Sequence, residues 1–194
     1  MKKLLFVCLV LALASTNGYS QSLLKRLSFG LKAGANYSNY SNADFATDPL
    51  VGFHAGALVN FKITDHLSIQ EEFLFSTQGA KAKGGTFGDQ DLKVSYITVP
   101  FLLKYRTNFG LYFEAGPQVG LRQKEDWGDT KIDGEFTKKM DLAAAGGIGY
   151  QTPFGLGIGA RYIYGLSTVG DFNIANVKTD FRTNVAQASI FYIF

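Results

Sequence analysis

The chain has 194 residues, which is the length of about one domain. Its 19 lysines and arginines and 16 aspartates and glutamates give a net charge of only +3, so the sequence does not indicate a nucleic-acid partner. It contains 22 glycines, 14% aromatic residues and only 4 prolines, a composition that favours strands and turns over helices.

The N-terminal stretch has the pattern of an export signal. Two lysines precede an uninterrupted apolar run at residues 4–14, which is too short for a transmembrane helix. Small residues follow, and their spacing fits cleavage between Ser20 and Gln21. We therefore predict a signal peptide over residues 1–20 and a single β-barrel domain over residues 21–194.

Eight later segments alternate between apolar and polar residues with the period of two that is typical of β-strands. They are residues 27–38, 51–63, 67–80, 92–105, 110–123, 139–151, 154–168 and 182–194. Short turns alternate with long polar connections, which are residues 39–50, 81–91, 124–138 and 169–181. This order predicts an all-β fold, an eight-stranded antiparallel up-and-down transmembrane β-barrel. Both ends of the exported chain then lie on the short-turn side, the periplasm.

Glycine indicates which face of these segments points inward. Nearly all the glycines in the segments lie on the polar face, and Gly146 is the exception. The lumen of an eight-stranded barrel is only wide enough for side chains, so small residues are needed there beside large polar ones. We therefore predict that the polar face lines the lumen and that the apolar face contacts the lipid of a Gram-negative outer membrane. Glu71 falls on the lipid side, and we expect a local bulge or a shielding neighbour to account for it.

The last segment ends on alternating apolar residues. Ile190, Tyr192 and Phe194 lie on one face of it, and Phe194 closes the sequence. A terminal aromatic residue on a final amphipathic strand resembles the assembly signal that outer-membrane barrels present to their insertion machinery. We predict that these three residues are read by the barrel-assembly machinery.

Several short stretches, in this order and spacing, resemble the PorT-like outer-membrane β-barrel family, a group of small barrels of OmpA/OmpX-like, porin-like architecture. The stretches are residues 30–37, 52–56, 99–105, 114–118, 159–162 and 165–166. The resemblance implies an integral outer-membrane protein without family catalytic residues. One member resembles a factor of a secretion and gliding apparatus, so the resemblance also implies secretion-system components as candidate partners.

Charged residues of both signs share the inward face. We predict an internal salt-bridge network of Lys32, Glu72, Lys104, Glu114, Arg122 and Arg161. Because a buried charge must be paired or hydrogen-bonded, this network is expected to plug the barrel, with Glu114 and Arg161 at its centre. The alternative is a narrow polar path for a small solute or an ion.

Two arrangements admit an enzymatic interpretation. Glu72 and Glu114 could form a glycosidase-like carboxylate pair, but an equal number of nearby cations favours salt bridges. His54, expected at the outer rim, could be activated by Ser38, Ser41 and Asp44, which lie near it in sequence across the first long connection, but this pattern has no specificity. We therefore predict no catalytic residue, no cofactor and no metal site.

Three functions remain open. The first is a structural or interaction role, such as surface tethering, adhesion or assistance to secretion, through the extracellular loops. The second is a narrow pore, and the third is an enzyme that modifies surface lipids. The first is favoured because the lumen is predicted to be plugged and the loops are long and polar. The expected partners are outer-membrane lipid, lipopolysaccharide, the barrel-assembly machinery and secretion-system components.

Overall fold

A computed structural model of the chain contains eight strands. It describes residues 25–41, 47–82, 90–126, 140–167 and 182–194. The strands are β1 (Leu27–Ser41), β2 (Thr47–Lys62), β3 (Leu67–Ala82), β4 (Gln90–Arg106), β5 (Leu111–Asp126), β6 (Met140–Gln151), β7 (Leu156–Gly165) and β8 (Arg182–Ile193). The predicted signal peptide lies outside the described residues. Within the described ranges, no helix is long and apolar enough to cross a membrane.

The strands form a closed antiparallel barrel. Each strand pairs with the next along the chain, and β8 pairs with β1 to complete the ring. The predicted fold class and up-and-down order are confirmed. The turns after β2, β4 and β6 border one end of the barrel, which we call the short-turn mouth. The end from which the other connections leave is the opposite mouth.

Two of the short turns share one local design. Gly110 and Gly155 have φ angles of 100° and 95°, a backbone conformation that glycine adopts with little strain. In each turn the glycine amide donates to the carbonyl of a threonine, at 3.1 Å from Thr107 and 3.2 Å from Thr152. Each threonine hydroxyl also donates to the carbonyl of the first residue of the next strand. These paired bonds fix the short loops that hold neighbouring strands in register.

Most strands extend beyond their predicted ends at the opposite mouth. Residues 39–41 and 47–50, predicted as connection, belong to β1 and β2. The pairing of Tyr40 with Thr183 and of Pro49 with Ala80 carries the ladder past the last apolar alternation. Backbone pairing does not require an apolar outer face, so the ladder continues past the apolar part of the strands. The alternation therefore stops before the strand does.

The strands are strongly tilted. Paired residues lead once around the barrel from Leu27 through Phe61, Ile69, Leu103, Ala115, Gly146, Tyr162 and Ala186 to Tyr37. The path begins at Leu27 on β1 and returns to the same strand at Tyr37, ten residues farther along. With the usual strand spacing, this stagger corresponds to a tilt of about 40°. It decides which side chains meet inside the barrel.

The polar face lines the lumen, as predicted. Buried polar side chains include Asn36, His54, Gln70, Glu72, Gln118 and Gln187. Large apolar side chains that are exposed on the outside include Leu31, Phe73, Phe101, Leu103, Phe113, Ile158 and Ile190. An apolar outer surface of this kind is typical of a barrel that contacts lipid.

Glu71 is a partial correction to the sequence analysis. It lies half-buried on the outer face, between the buried Gln70 and Glu72. Its pairing with Val59 on β2 and Phe101 on β4 is regular, and the register shift of the β2–β3 ladder lies between Pro49 and His54. Of the two explanations that we expected, the bulge is therefore wrong, whereas the half-burial of Glu71 agrees with a shielding neighbour on the lipid-facing surface.

Candidate functional site in the lumen

The centre of the lumen is filled by four charged side chains, one from each odd-numbered strand. Lys32 lies on β1, Glu72 on β3, Glu114 on β5 and Arg161 on β7. All four are buried, and Glu72 is 0% exposed. Two cations and two carboxylates balance, so this central cluster carries no net charge.

Glu72 is the main acceptor of the central cluster. Arg161 Nη1 and Nη2 donate to its two oxygens at 2.8 Å each, which is the bidentate geometry of a strong charge-assisted pair. Lys32 Nζ donates at 3.0 and 3.3 Å to the same two oxygens. The amide of Gln70 adds a bond of 2.6 Å. The desolvated carboxylate is thus fully hydrogen-bonded, which is the condition for burying it.

Arg161 joins the two acids. Its Nε donates to Glu114 Oε1 at 2.8 Å, while its Nη2 lies 2.6 Å from the same oxygen. Both carboxylates are therefore held by one guanidinium. This arrangement is suited to fixing strands across the lumen. It opposes the glycosidase-like interpretation, in which the two acids would have to act independently on a substrate.

A glycine makes the contact between Glu114 and Arg161 possible. Gly147 on β6 is the register partner of Glu114 on one side and of Arg161 on the other. A Cβ atom at Gly147 would lie 3.0 Å from Glu114 Oε1 and 2.8 Å from the carbonyl of Ala160. Because Gly147 has no side chain, the space beside it is free for the ion pair between Glu114 and Arg161.

Two members of the predicted network lie apart from the central cluster. Lys104 is the register partner of Glu114, but the described hydrogen bond that leads from its Nζ to the cluster is to Gln70 Oε1, at 3.2 Å. Arg122 lies farther along β5 than Glu114, toward the opposite mouth, where it pairs in register with Tyr96. The structure thus brings together Lys32, Glu72, Glu114 and Arg161 directly. Period-two parity did not distinguish these from Arg122, because it carries no information about height in the barrel.

His54 is placed differently from our expectation. It lies within β2 rather than at the rim, and it is 1% exposed. Its Nδ1 is 2.7 Å from Asn36 Oδ1 and its Nε2 is 2.9 Å from Ser189 Oγ. The serines that the sequence offered as an alternative bond elsewhere: Ser38 Oγ donates to the Leu50 carbonyl and accepts from the Gly79 amide, and Ser41 Oγ donates to the Arg182 carbonyl. Asp44 lies outside the described residues.

The order Asn36–His54–Ser189 has the connectivity of a hydrolase triad, and sequence reasoning missed it. The three residues come from β1, β2 and β8, so no local pattern could have revealed them. Asn36 is also tied by its amide to Ser76 Oγ and to two backbone carbonyls, and its Oδ1 accepts from Gln187. With its imidazole buried and both ring nitrogens bonded, the group is best suited to packing the lumen above the central cluster.

The predicted assembly residues lie at the outer surface of β8 and just beyond it. Ile190, Tyr192 and Phe194 are 53%, 45% and 68% exposed. The amide of Phe194 donates to the carbonyl of Phe29, which continues the ladder with β1 to the end of the sequence. As for metals, no group of three or more potential ligands occurs in the described ranges. Most of the acidic loop residues fall outside those ranges.

Comparison with known proteins agrees with this architecture. Residues 16–170 match the outer membrane protein beta-barrel domain family. The chain belongs to this family. No curated protein matches this outer-membrane barrel in sequence.

Solved structures share the barrel's fold. Neisserial surface protein A is 18% identical, with a TM-score of 0.55 over 86% of this chain and 97% of its own. Ail of Yersinia pestis, determined with the heparin analogue sucrose octasulfate, is 17% identical, with a TM-score of 0.51 over 87% of this chain and 99% of its own. OprG of Pseudomonas aeruginosa is 13% identical, with a TM-score of 0.51 over 86% of this chain and 95% of its own. At these identities the likeness concerns the fold, and with the family it makes this chain an integral outer-membrane β-barrel.

Proposed function

We propose that this barrel has a structural or interaction role, in which the connections at the opposite mouth contact a partner and the filled lumen acts as a rigid support. The observation that carries the proposal is the central cluster, because it spans the lumen from β1 to β3, β5 and β7 with buried, mutually bonded side chains. A lumen filled in this way leaves little room for a conducting path.

The finer parts of the proposal concern placement in the cell. We propose that residues 1–20 are removed as a signal peptide, and that the short-turn mouth and both ends of the mature chain face the periplasm. The support is the rule that outer-membrane barrels have short periplasmic turns and longer extracellular connections. A cysteine at Asn108, in a short turn, should resist a membrane-impermeant maleimide in intact cells, whereas one inserted within residues 127–139 should be labelled. The reverse labelling would refute this orientation.

The partners follow from the same placement. We propose that outer-membrane lipid and lipopolysaccharide surround the barrel, that the barrel-assembly machinery reads Ile190, Tyr192 and Phe194, and that PorT-like secretion components contact its outer connections. Ail, a barrel of the same fold, was determined with a bound heparin analogue, which is an example of ligand binding by such a protein. We propose no enzymatic role, because both lumen carboxylates and His54 are committed to internal bonds.

Single-channel recording in planar bilayers tests the plugged lumen. The wild-type barrel should give no steps above the empty bilayer, and Arg161→Ala should give small steps because it removes the residue that joins Glu72 to Glu114. Appreciable conductance of the wild type would favour the pore instead.

Co-purification after crosslinking in cells tests the interaction role. Replacing residues 127–139 by a short turn should remove secretion components or other surface partners from the purified barrel. Glu114→Gln, which changes only the lumen, is the matched control and should leave the partners unchanged. Loss of partners in the lumen variant but not in the loop variant would refute the proposal.

A further inference from the structure

A polar chamber opens at the short-turn mouth, below the central cluster. It has a volume of about 360 Å³ and is bordered by the turns after β2 and β6 and by the ends of β4 and β8. We call it the vestibule and define it by Lys62, His66, Lys104, Arg106, Gln151 and Phe154. Its geometry is the same whichever side of the membrane this mouth faces, so the inference does not rest on the proposed orientation.

Lys104 forms the inner end of the vestibule and carries a buried charge without an acidic partner. It is 2% exposed, and no carboxylate of the described residues lies within ion-pair distance of its ammonium. Nζ donates to two amide oxygens, Gln70 Oε1 and Gln151 Oε1, each at 3.2 Å. An ammonium has three donors, so one remains for another acceptor.

Aromatic rings hold the Lys104 ammonium in place. Nζ lies 4.0 Å from the centre of the Tyr112 ring and 4.6 Å from that of the Phe191 ring. Contacts of this kind stabilise a cation but do not neutralise it. The ammonium at the inner end of the vestibule is therefore desolvated, and in its protonated form it attracts an anion strongly there.

Two more cations surround the vestibule nearer its opening. Lys62 is exposed and Arg106 is half-buried, and neither has an ion pair with a described carboxylate. Asp65, which is exposed, is the single acidic side chain among the described residues that line the chamber. His66 bonds through Nδ1 to the Arg106 carbonyl at 3.0 Å, which leaves Nε2 for a ligand. The lining side chains thus carry three cations against one acid.

We propose that the vestibule binds a small carboxylate or phosphate. Lys104 Nζ supplies its third donor from the inner end, and the guanidinium of Arg106 supplies a planar pair of donors that matches either oxyanion. Lys62 adds charge at the entrance. Pro153 and Phe154 form an apolar edge of the same chamber, so an anion with an apolar body fits better than a bare ion.

Calorimetric titration of the refolded full barrel in a non-ionic detergent tests the site, since phosphate-bearing detergents would compete. The probes are inorganic phosphate, N-acetylphenylalanine and, as the uncharged match, N-acetylphenylalanine amide. We expect saturable binding of N-acetylphenylalanine and none of the amide. Binding of phosphate alone would assign the site to phosphate groups rather than to carboxylates and would still support it. No saturable binding of either anion would overturn it.

Variants locate the bound anion. Arg106→Gln and Lys62→Gln change side chains that reach solvent, so the barrel should still fold, and each should weaken binding, Arg106→Gln by about tenfold or more. Lys104→Met should abolish binding. Folding of this variant is checked by gel electrophoresis, because a folded barrel migrates differently before and after boiling. Lys81→Gln, which removes an exposed charge near the opposite mouth, is the control and should bind as the wild type does. Equal weakening by Lys81→Gln would show non-specific attraction and overturn the assignment.

Discussion

Arg161 on β7 and Glu72 on β3 are joined across the lumen by two parallel hydrogen bonds of 2.8 Å. The two strands are not neighbours in the sheet, so this pair ties opposite walls of the barrel to each other. Because Arg161 also holds Glu114, removing one side chain would affect three strands at once.

Arg161→Ala should lower the free energy of unfolding by about 3–5 kcal/mol, because it leaves two carboxylates buried without their principal cation. Urea titration in detergent, followed by gel mobility without boiling, measures the change. Lys62→Gln is the control for loss of one positive charge and should change stability by no more than about 0.5 kcal/mol. An equal effect of the two variants would contradict the structural role of Arg161.

Gly147 and Gly146 are neighbours that should respond differently to alanine. A Cβ at Gly147 would press on Glu114 and on the Ala160 carbonyl, whereas nothing lies within 4 Å of a Cβ at Gly146. Gly147→Ala should therefore destabilise the barrel by about 1–3 kcal/mol. Gly146→Ala should be neutral or slightly stabilising, because it adds a strand-forming, lipid-facing methyl group. The same urea titration measures both changes. A larger loss of stability in Gly146→Ala than in Gly147→Ala would mean that the two faces of β6 are misassigned.

Glu71 and Glu72 offer a second pair of neighbours with opposite surroundings. Glu71→Leu replaces a carboxylate on the lipid-facing surface and should raise the free energy of unfolding by about 1 kcal/mol. Glu72→Leu should lower it by about 3–5 kcal/mol, since Lys32 and Arg161 would lose their shared acceptor. Unfolding in lipid vesicles is the suitable measurement, because the first effect depends on hydrocarbon contact. Destabilisation by Glu71→Leu would indicate a partner for this carboxylate that the fold does not reveal.

His54 should prove structural rather than catalytic. His54→Ala removes hydrogen bonds to Asn36 and Ser189 and should destabilise the barrel by about 1–3 kcal/mol. Neither the wild type nor Ser189→Ala should hydrolyse a phospholipid or a nitrophenyl ester above the rate in detergent alone. Hydrolysis by the wild type that both substitutions abolish would instead establish the triad as an active site.

Sequence alone was sufficient to predict the barrel and which face of its strands points outward. Residues such as Leu31, Phe73 and Phe101 alternate with polar and glycine positions, and that period decides which side chains point in and which point out. The short turns at residues 106–109 and 151–154 were also predicted, although Gly110 and Gly155, which close them, fell inside the predicted segments. Each of these features depends on residues close together in the chain, which is why local patterns predict them.

The partners inside the lumen were decided only by the tertiary structure. Parity placed Arg122 and Arg161 on the same inward face, yet only Arg161 reaches Glu72. The difference is height along the barrel, which is set by the ten-residue stagger of the closed sheet and not by any one strand. The same stagger brings Ser189 to His54 and leaves Lys104 with amides and aromatic rings instead of a carboxylate. Contacts between distant strands depend on closure of the ring, and this closure cannot be predicted from the sequence of a single strand.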